Sequence, residues 1–265
     1  MATPQKVHIL QELREQLAEL ELAVHEHNPS AELISRRLIA RVGKITYARD
    51  RFIALSRIYS LRRDVINFNG AIANLRGNNC TSEADISVFE DAVTNGYGTV
   101  ALEHFYRINK NKGYATAASL FEGLLACGQI KALQTSFEKV KDHLVVTEMG
   151  AIMPLVLQSS KIASELNINE QLLATMYDIF GAVLRERNIY WSTSSPQFKI
   201  RRFEEGGPSF MIQYDVHANA VETASLNRDI ARALAAANAV AIGVSLRVRP
   251  EISMTLEEQE AALAE

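Results

Sequence analysis

Residues 45–66, ITYARDRFIALSRIYSLRRDVI, are the stretch on which the reading of this chain turns. Ile45, Ala48, Phe52, Leu55, Tyr59, Arg62 and Ile66 recur at intervals of three and four, the spacing of one face of a helix. The spacing predicts a single helix whose apolar seam meets an arginine near its end. A guanidinium at a seam position predicts a carboxylate, or a subunit boundary, opposite Arg62.

Working outward, residues 34–76 hold ten basic side chains, Arg36, Arg37, Arg41, Lys44, Arg49, Arg51, Arg57, Arg62, Arg63 and Arg76, against Asp50 and Asp64. That segment is +8 in a chain whose formal charge is −3, so the remainder carries −11. Upstream, residues 4–27 read as a helix with Leu10, Leu13, Leu17, Leu20 and Val24 spaced 3, 4, 3, 4, the period of a coiled-coil seam. Its flanks are acidic, and residues 1–33 sum to −4. The expectation is an antiparallel hairpin over residues 1–79, acidic first helix on basic second helix. The first helix packs on its own domain, and its seam is also the candidate protein interface. Ser30 is the expected N-cap of the second helix. The Asn- and Gly-rich run 67–79 (NFNGAIANLRGNN) is the expected helix end and hinge.

Downstream, Ser82 and Asp85 predict a capped helix start, followed by an apolar face of Ile86, Phe89 and Val93. GYxTxA occurs twice, at 96–101 and 113–118, a weak echo of helix-start chemistry. Further helices are expected over 129–143, 148–165 and 170–187, completing a helical domain over residues 80–188.

After Asn188 the period changes. Residues 197–203 read as a strand and EEGGP, 204–208, as a turn. Phe210, Ile212, Tyr214 and Val216 then alternate with Met211, Gln213, Asp215 and His217. Residues 223–238 return to helical spacing, and Val240, Ile242, Val244, Leu246 and Val248 alternate again. The expected fold class is α+β, mainly α: a helical N-terminal part followed by an α-β-β-α-β module with a three-stranded sheet over 189–250, packed on helix 170–187. In order of elements the module resembles the small α/β units that assemble into rings in bacterial secretion machines. Thr255 and Glu258 open a short helix in an acidic C-terminal tail, 251–265.

Composition is that of an ordinary globular chain, with 48% hydrophobic and 22% charged residues. Cys80 and Cys127 form no CxxC pattern, which argues against a disulfide scaffold or zinc site. The opening residues lack the apolar core of a signal peptide, and no window matches a membrane span, so the expected location is cytoplasmic. Residues His25 and His27 stand two apart, which on a helix directs them away from one another. Glu103-His104 reads as a solvated surface pair, and Gly96-Tyr97-Gly98 lacks a strand before it. These patterns define no catalytic, metal or cofactor site. Two function classes remain. The first is a non-enzymatic assembly protein, a subunit of a homo- or hetero-oligomeric complex of bacterial or viral type, acting through protein contacts. The second is a nucleic-acid-binding subunit using Arg36, Arg37, Arg41, Lys44, Arg49, Arg51, Arg57, Arg62 and Arg63, with interleaved aromatics as stacking partners.

Overall fold

The fold was analysed in a computed structural model, which describes residues 4–110, 164–191, 197–203, 207–240 and 243–250, together with isolated positions between 120 and 161. Most of the expected helices at 129–143 and 148–165, the second GYxTxA copy, the Ser192–Pro196 loop and the tail from 251 lie outside the described residues.

The chain is mainly helical. Among the elements whose bounds lie in the described residues, six helices come first: α1 Pro4–His25, α2 Ser30–Val42, α3 Ala48–Leu61, α4 Val65–Gly77, α5 Thr81–Asn95 and α6 Gly98–Lys110. Then follow α7 Glu170–Glu186, β1 Gln197–Phe203, β2 Gly207–Val216, α8 Ala220–Ala236 and β3 Val244–Pro250. Strands β2 and β3 run parallel, in register from Phe210 opposite Val244 to Val216 opposite Pro250, and β1 pairs antiparallel with β2. The alternation is real: Ile212, Tyr214 and Val216 are fully buried, and Val244, Leu246 and Val248 turn the same way. Val240 is 58% exposed, because β3 begins only at Val244.

The expected two-helix hairpin over residues 1–79 is replaced by four helices. The first break follows Val42, where Gly43 caps α2, and α3 begins after Tyr47 in extended backbone. The second break is at Arg62–Asp64, inside the stretch that reads as continuous. Arg63 adopts a left-handed φ of 54°, its N–H donates to Ser60 O and that of Asp64 to Tyr59 O, both at 2.9 Å. This is the Schellman way of ending a helix, built here without glycine.

Residues 67–77 are helix rather than hinge, and only Asn78 and Asn79 form the turn that ends it. Asp64 caps α4 by accepting from the Asn67 N–H, and Phe68, Ala71, Ile72 and Leu75 bury a stripe spaced 3, 1, 3. Burial of that stripe outweighs the weak helix propensity of its asparagines and glycines. Two cap expectations also shift, from Ser30 by one residue and from Ser82 by two. Pro29 precedes α2, with Ser30 inside it, and Cys80 precedes α5.

Among the described residues three apolar clusters hold the chain. Leu13, Leu20 and Val24 of α1 pack on Leu38, Val42, Ala54, Ile58 and Leu61 of α2 and α3. Phe68, Ile72 and Leu75 of α4 meet Ala84 of α5. The largest runs from Phe89 to Val248 and joins α5, α6, α7, α8 and the sheet around Tyr177, Phe180, Trp191 and Tyr214. Residues 80–188 and 189–250 therefore share one core.

Candidate functional site

Most of the basic stretch is engaged within the fold. Arg41 pairs with Glu12 of α1, and Arg57 lies 3.8 Å from both Glu21 of α1 and Glu90 of α5. Arg49 reaches Glu83 at 2.8 Å, Arg76 reaches Asp85 at 3.7 Å, and Arg36 reaches Glu32 at 2.8 Å. Arg62 meets the predicted carboxylate: its guanidinium donates to Glu32 Oε2 at 2.5 Å, although Glu32 belongs to α2 and not to the acidic first helix. Exposed pairs of this kind contribute little stability, but they lower the positive potential that a polyanion would meet. Among the described residues Arg37 and Lys44 are exposed with no carboxylate at ion-pair distance, and Arg51 lies over its neighbour Phe52, 4.9 Å from the ring centroid.

The seam of α1 is not open to a second subunit. Leu13, Leu20 and Val24 are buried and Leu17 packs partly buried beside them, all against α2 and α3 of the same chain. Leu10 lies among residues whose side chains are not described.

Arg63 is the structural centre of the stretch. The turn after α3 carries its side chain into the junction with the segment following α7. There its Nη2 donates to Ile189 O at 2.8 Å, its Nε donates to Asn95 Oδ1 at 3.2 Å, and the guanidinium stacks 3.8 Å from the Tyr190 centroid. Asn95 in turn donates to Asp91 Oδ1 at 2.9 Å and to Ser60. Next to it Arg185 of α7 donates to Asn95 O and, at 3.1 Å, to Gly96 O, and stacks 4.0 Å from the Tyr97 centroid. Arg185 thereby satisfies the last carbonyls of α5, where a cation also complements the helix dipole. Burial lowers the Arg63 pKa, the Tyr190 ring offsets this, and Arg185 lowers it again. Close approach of α5 to α7 depends on Gly96, at φ 69°, against Gly181.

Two cavities flank this hub. A small polar one of about 50 Å³ is walled by Ser56, Ser60, Ser87, Thr94, Arg57, Glu90 and Asp91. Burial raises the pKa of Glu90 against the opposing pull of Arg57, and burial raises Asp91 against hydrogen bonds from Ser60 and Asn95. A carboxyl whose folded pKa is raised stabilises the fold below the ordinary range near 4.3 and loses that contribution as pH rises through the folded value. Glu90→Gln is therefore expected to raise Tm at pH 7, with the gain vanishing below about pH 4. Thermal unfolding across that range tests it, and a lower Tm at neutral pH would show that the Arg57 pair dominates.

The second cavity is a groove of about 260 Å³ lined by Tyr59, Val65, Phe68, Val88, Tyr97 and Val100, with Asp91 and Asn95 among its polar walls. Val65 is 59% exposed, its neighbour Ile66 84% and Val100 37%.

Elsewhere, His104 is not a surface group. It is buried, with Nδ1 3.2 Å from the buried Asp85 carboxylate, while Glu103 stays outside and binds Arg107. Burial lowers the His104 pKa, and Asp85 acts against it. Asp215 is held by Arg249 on the adjacent strand. No three of the described histidines, cysteines and carboxylates are grouped to hold a metal ion, and no described helix is long and apolar enough to cross a membrane.

Comparison with protein-family models, curated proteins and solved structures returned no match. Sequence reading missed Asn95, Arg185, Tyr190 and Trp191, which gather around Arg63 from positions up to 128 residues away. A signal for Asn95 was present in the Asn95-Gly96 pair, which marks a helix end. The cations it would hold had no local signal.

Proposed function

We propose that this protein is a non-enzymatic structural subunit that acts through protein–protein contacts within a larger homo- or hetero-oligomeric assembly. The observation that carries this reading is the uncovered apolar surface at the start of α4, where Val65, Ile66 and Val100 stand exposed beside the groove. Apolar side chains gathered in this way mark contact surfaces more often than isolated ones do. In this reading residues 1–79, together with Val100 of α6, present the surface. Residues 80–188 and a three-stranded α/β module over 189–250 form its support. Light scattering after size exclusion should give a mass above the 29.4 kDa chain, alone or with a stoichiometric partner. A strict monomer with no partner in its native mass spectrum overturns the reading.

Nucleic-acid binding is the second reading, favoured by the exposure of Arg37 and Lys44, which have no ion-pair partner among the described residues, and by the 64% exposure of Tyr47 between the two helices. It predicts salt-sensitive binding of single-stranded DNA through Arg37, Lys44 and Arg51, because phosphate contacts release counterions. Reversing those three to Glu should reduce binding at least tenfold at moderate salt; unchanged anisotropy titrations would remove them from the site.

A further inference from the structure

We propose that Asp85 is the shared acceptor of an acid-operated exchange: at neutral pH it ties α4 to α5 through Arg76, and protonation of His104 transfers it to α6 and releases Arg76. The three groups come from three helices: Arg76 from the last turn of α4, Asp85 from α5 and His104 from α6. Two of them address one atom. Arg76 Nη2 lies 3.7 Å from Asp85 Oδ1, and His104 Nδ1 lies 3.2 Å from the same oxygen. The exchange goes beyond the assembly reading and does not depend on it.

Burial makes the competition unequal. Asp85 is 5% exposed and His104 7%, so neither trades its partner for bulk water, whereas the Arg76 side chain is half exposed and does so at little cost. The contact between ring and carboxylate is also incomplete: Nδ1 is buried beside Oδ1 without an aligned hydrogen bond. Neutral imidazole carries one N–H and imidazolium two, so protonation makes Nδ1 a donor that faces a carboxylate. The bond that then forms is charge-assisted and lies inside the fold, where it outcompetes a long pair to a half-solvated arginine.

Among the described residues, the charges around the ring are Asp85 on α5, Arg76 behind it on α4, and Glu103 and Arg107 on α6 itself, which pair with each other. From α7, which also packs on α6, Glu170 binds Tyr106 and Asp178 accepts from the Thr99 N–H. Burial holds the His104 pKa down, Asp85 opposes this, and Arg107 adds to the lowering. The exchange is therefore set below the ordinary histidine value near 6.5. In that window the unfolded chain binds the proton more readily, so the stability held by neutral His104 is complete above it and falls as pH drops through it.

The test is NMR on the intact chain from about pH 8 to about pH 5, following the His104 imidazole and the Arg76 guanidinium Nε–H together. In wild type the Arg76 signal should shift with the His104 midpoint, below the ordinary value, toward that of a free arginine. Linkage is reciprocal, so Arg76→Gln should raise the His104 midpoint and Asp85→Asn should lower it. His104→Asn should abolish the Arg76 transition. Wild type and the exposed Arg76→Gln carry the test if the two buried variants do not fold. An Arg76 signal that stays fixed while His104 titrates, an unchanged His104 midpoint in Arg76→Gln, or an Arg76 transition that persists in His104→Asn overturns the exchange.

Discussion

Gly181→Ala is expected to destabilise the protein by about 2 kcal/mol or more, against the usual gain from placing alanine in a helix. Gly181 lies inside α7, where alanine would ordinarily add up to about 1 kcal/mol. Here a Cβ would run into Gly96 O, lie 2.7 Å from Gly96 Cα and 2.8 Å from Arg185 Nη1. Two of these neighbours are backbone, and Gly96 is itself fixed at φ 69° as the last cap of α5. Neither helix can yield without moving the other or displacing Arg185 from the carbonyls it binds. Gly70→Ala in α4, where the added methyl meets nothing, is the matched control and should be neutral to stabilising. Urea unfolding followed at Trp191, the single tryptophan, reports on the same junction, since its ring touches the space beside Gly96. A Gly181→Ala protein as stable as Gly70→Ala would mean that α5 and α7 do not approach as closely as described.

The second large effect is at Arg63. Arg63→Ala is expected to lose about 2 kcal/mol, since it removes charge-assisted hydrogen bonds to Ile189 O and Asn95 Oδ1 and the stack on Tyr190. Part of the loss is returned, because Arg63 Nη1 is buried with no hydrogen-bond partner. Arg63→Lys should recover little: a point charge on a flexible stem cannot reproduce a planar fork that bonds two acceptors while lying on a ring. Arg63→Gly separates backbone from side chain. At φ 54° any L-residue is strained by roughly 1 kcal/mol, so glycine should be more stable than alanine by about that amount. The expected order is Arg, then Gly, then Ala. Equal stability of the Gly and Ala proteins would show that the turn relaxes once the side chain has gone.

Particular residues show what was legible along the chain and what was not. The helix over 170–186 and the strand faces around Ile212, Tyr214 and Leu246 could be read directly, because burial against one neighbouring layer imposes a period on the sequence that carries it. The ends of α4, α7 and α8 were marked in the same local way: Asn79, Asn188 and Asn238 occupy left-handed positions that asparagine tolerates. Arg63 occupies such a position too, but arginine carries no turn signal. The break between α3 and α4 was therefore invisible, and residues 45–66 read as one helix. The Asn- and Gly-rich run after it gave the opposite error, since its buried stripe of Phe68, Ala71, Ile72 and Leu75 was masked by the composition around it.

By itself the sequence determined the mainly helical class, the change of period after Asn188, the separation of acidic and basic segments, and the need for a carboxylate at Arg62. These follow from local spacing and charge counting. Tertiary structure alone decided where the cations went: Arg41 and Arg57 to glutamates of α1, Arg49 and Arg57 to α5, and Arg63 to a carbonyl 126 residues away. It also decided which apolar residues stayed uncovered. A charge or a side chain in the sequence states only that a partner is needed, whereas the partner's identity depends on how distant helices cross, and that is set by the packing of the whole core.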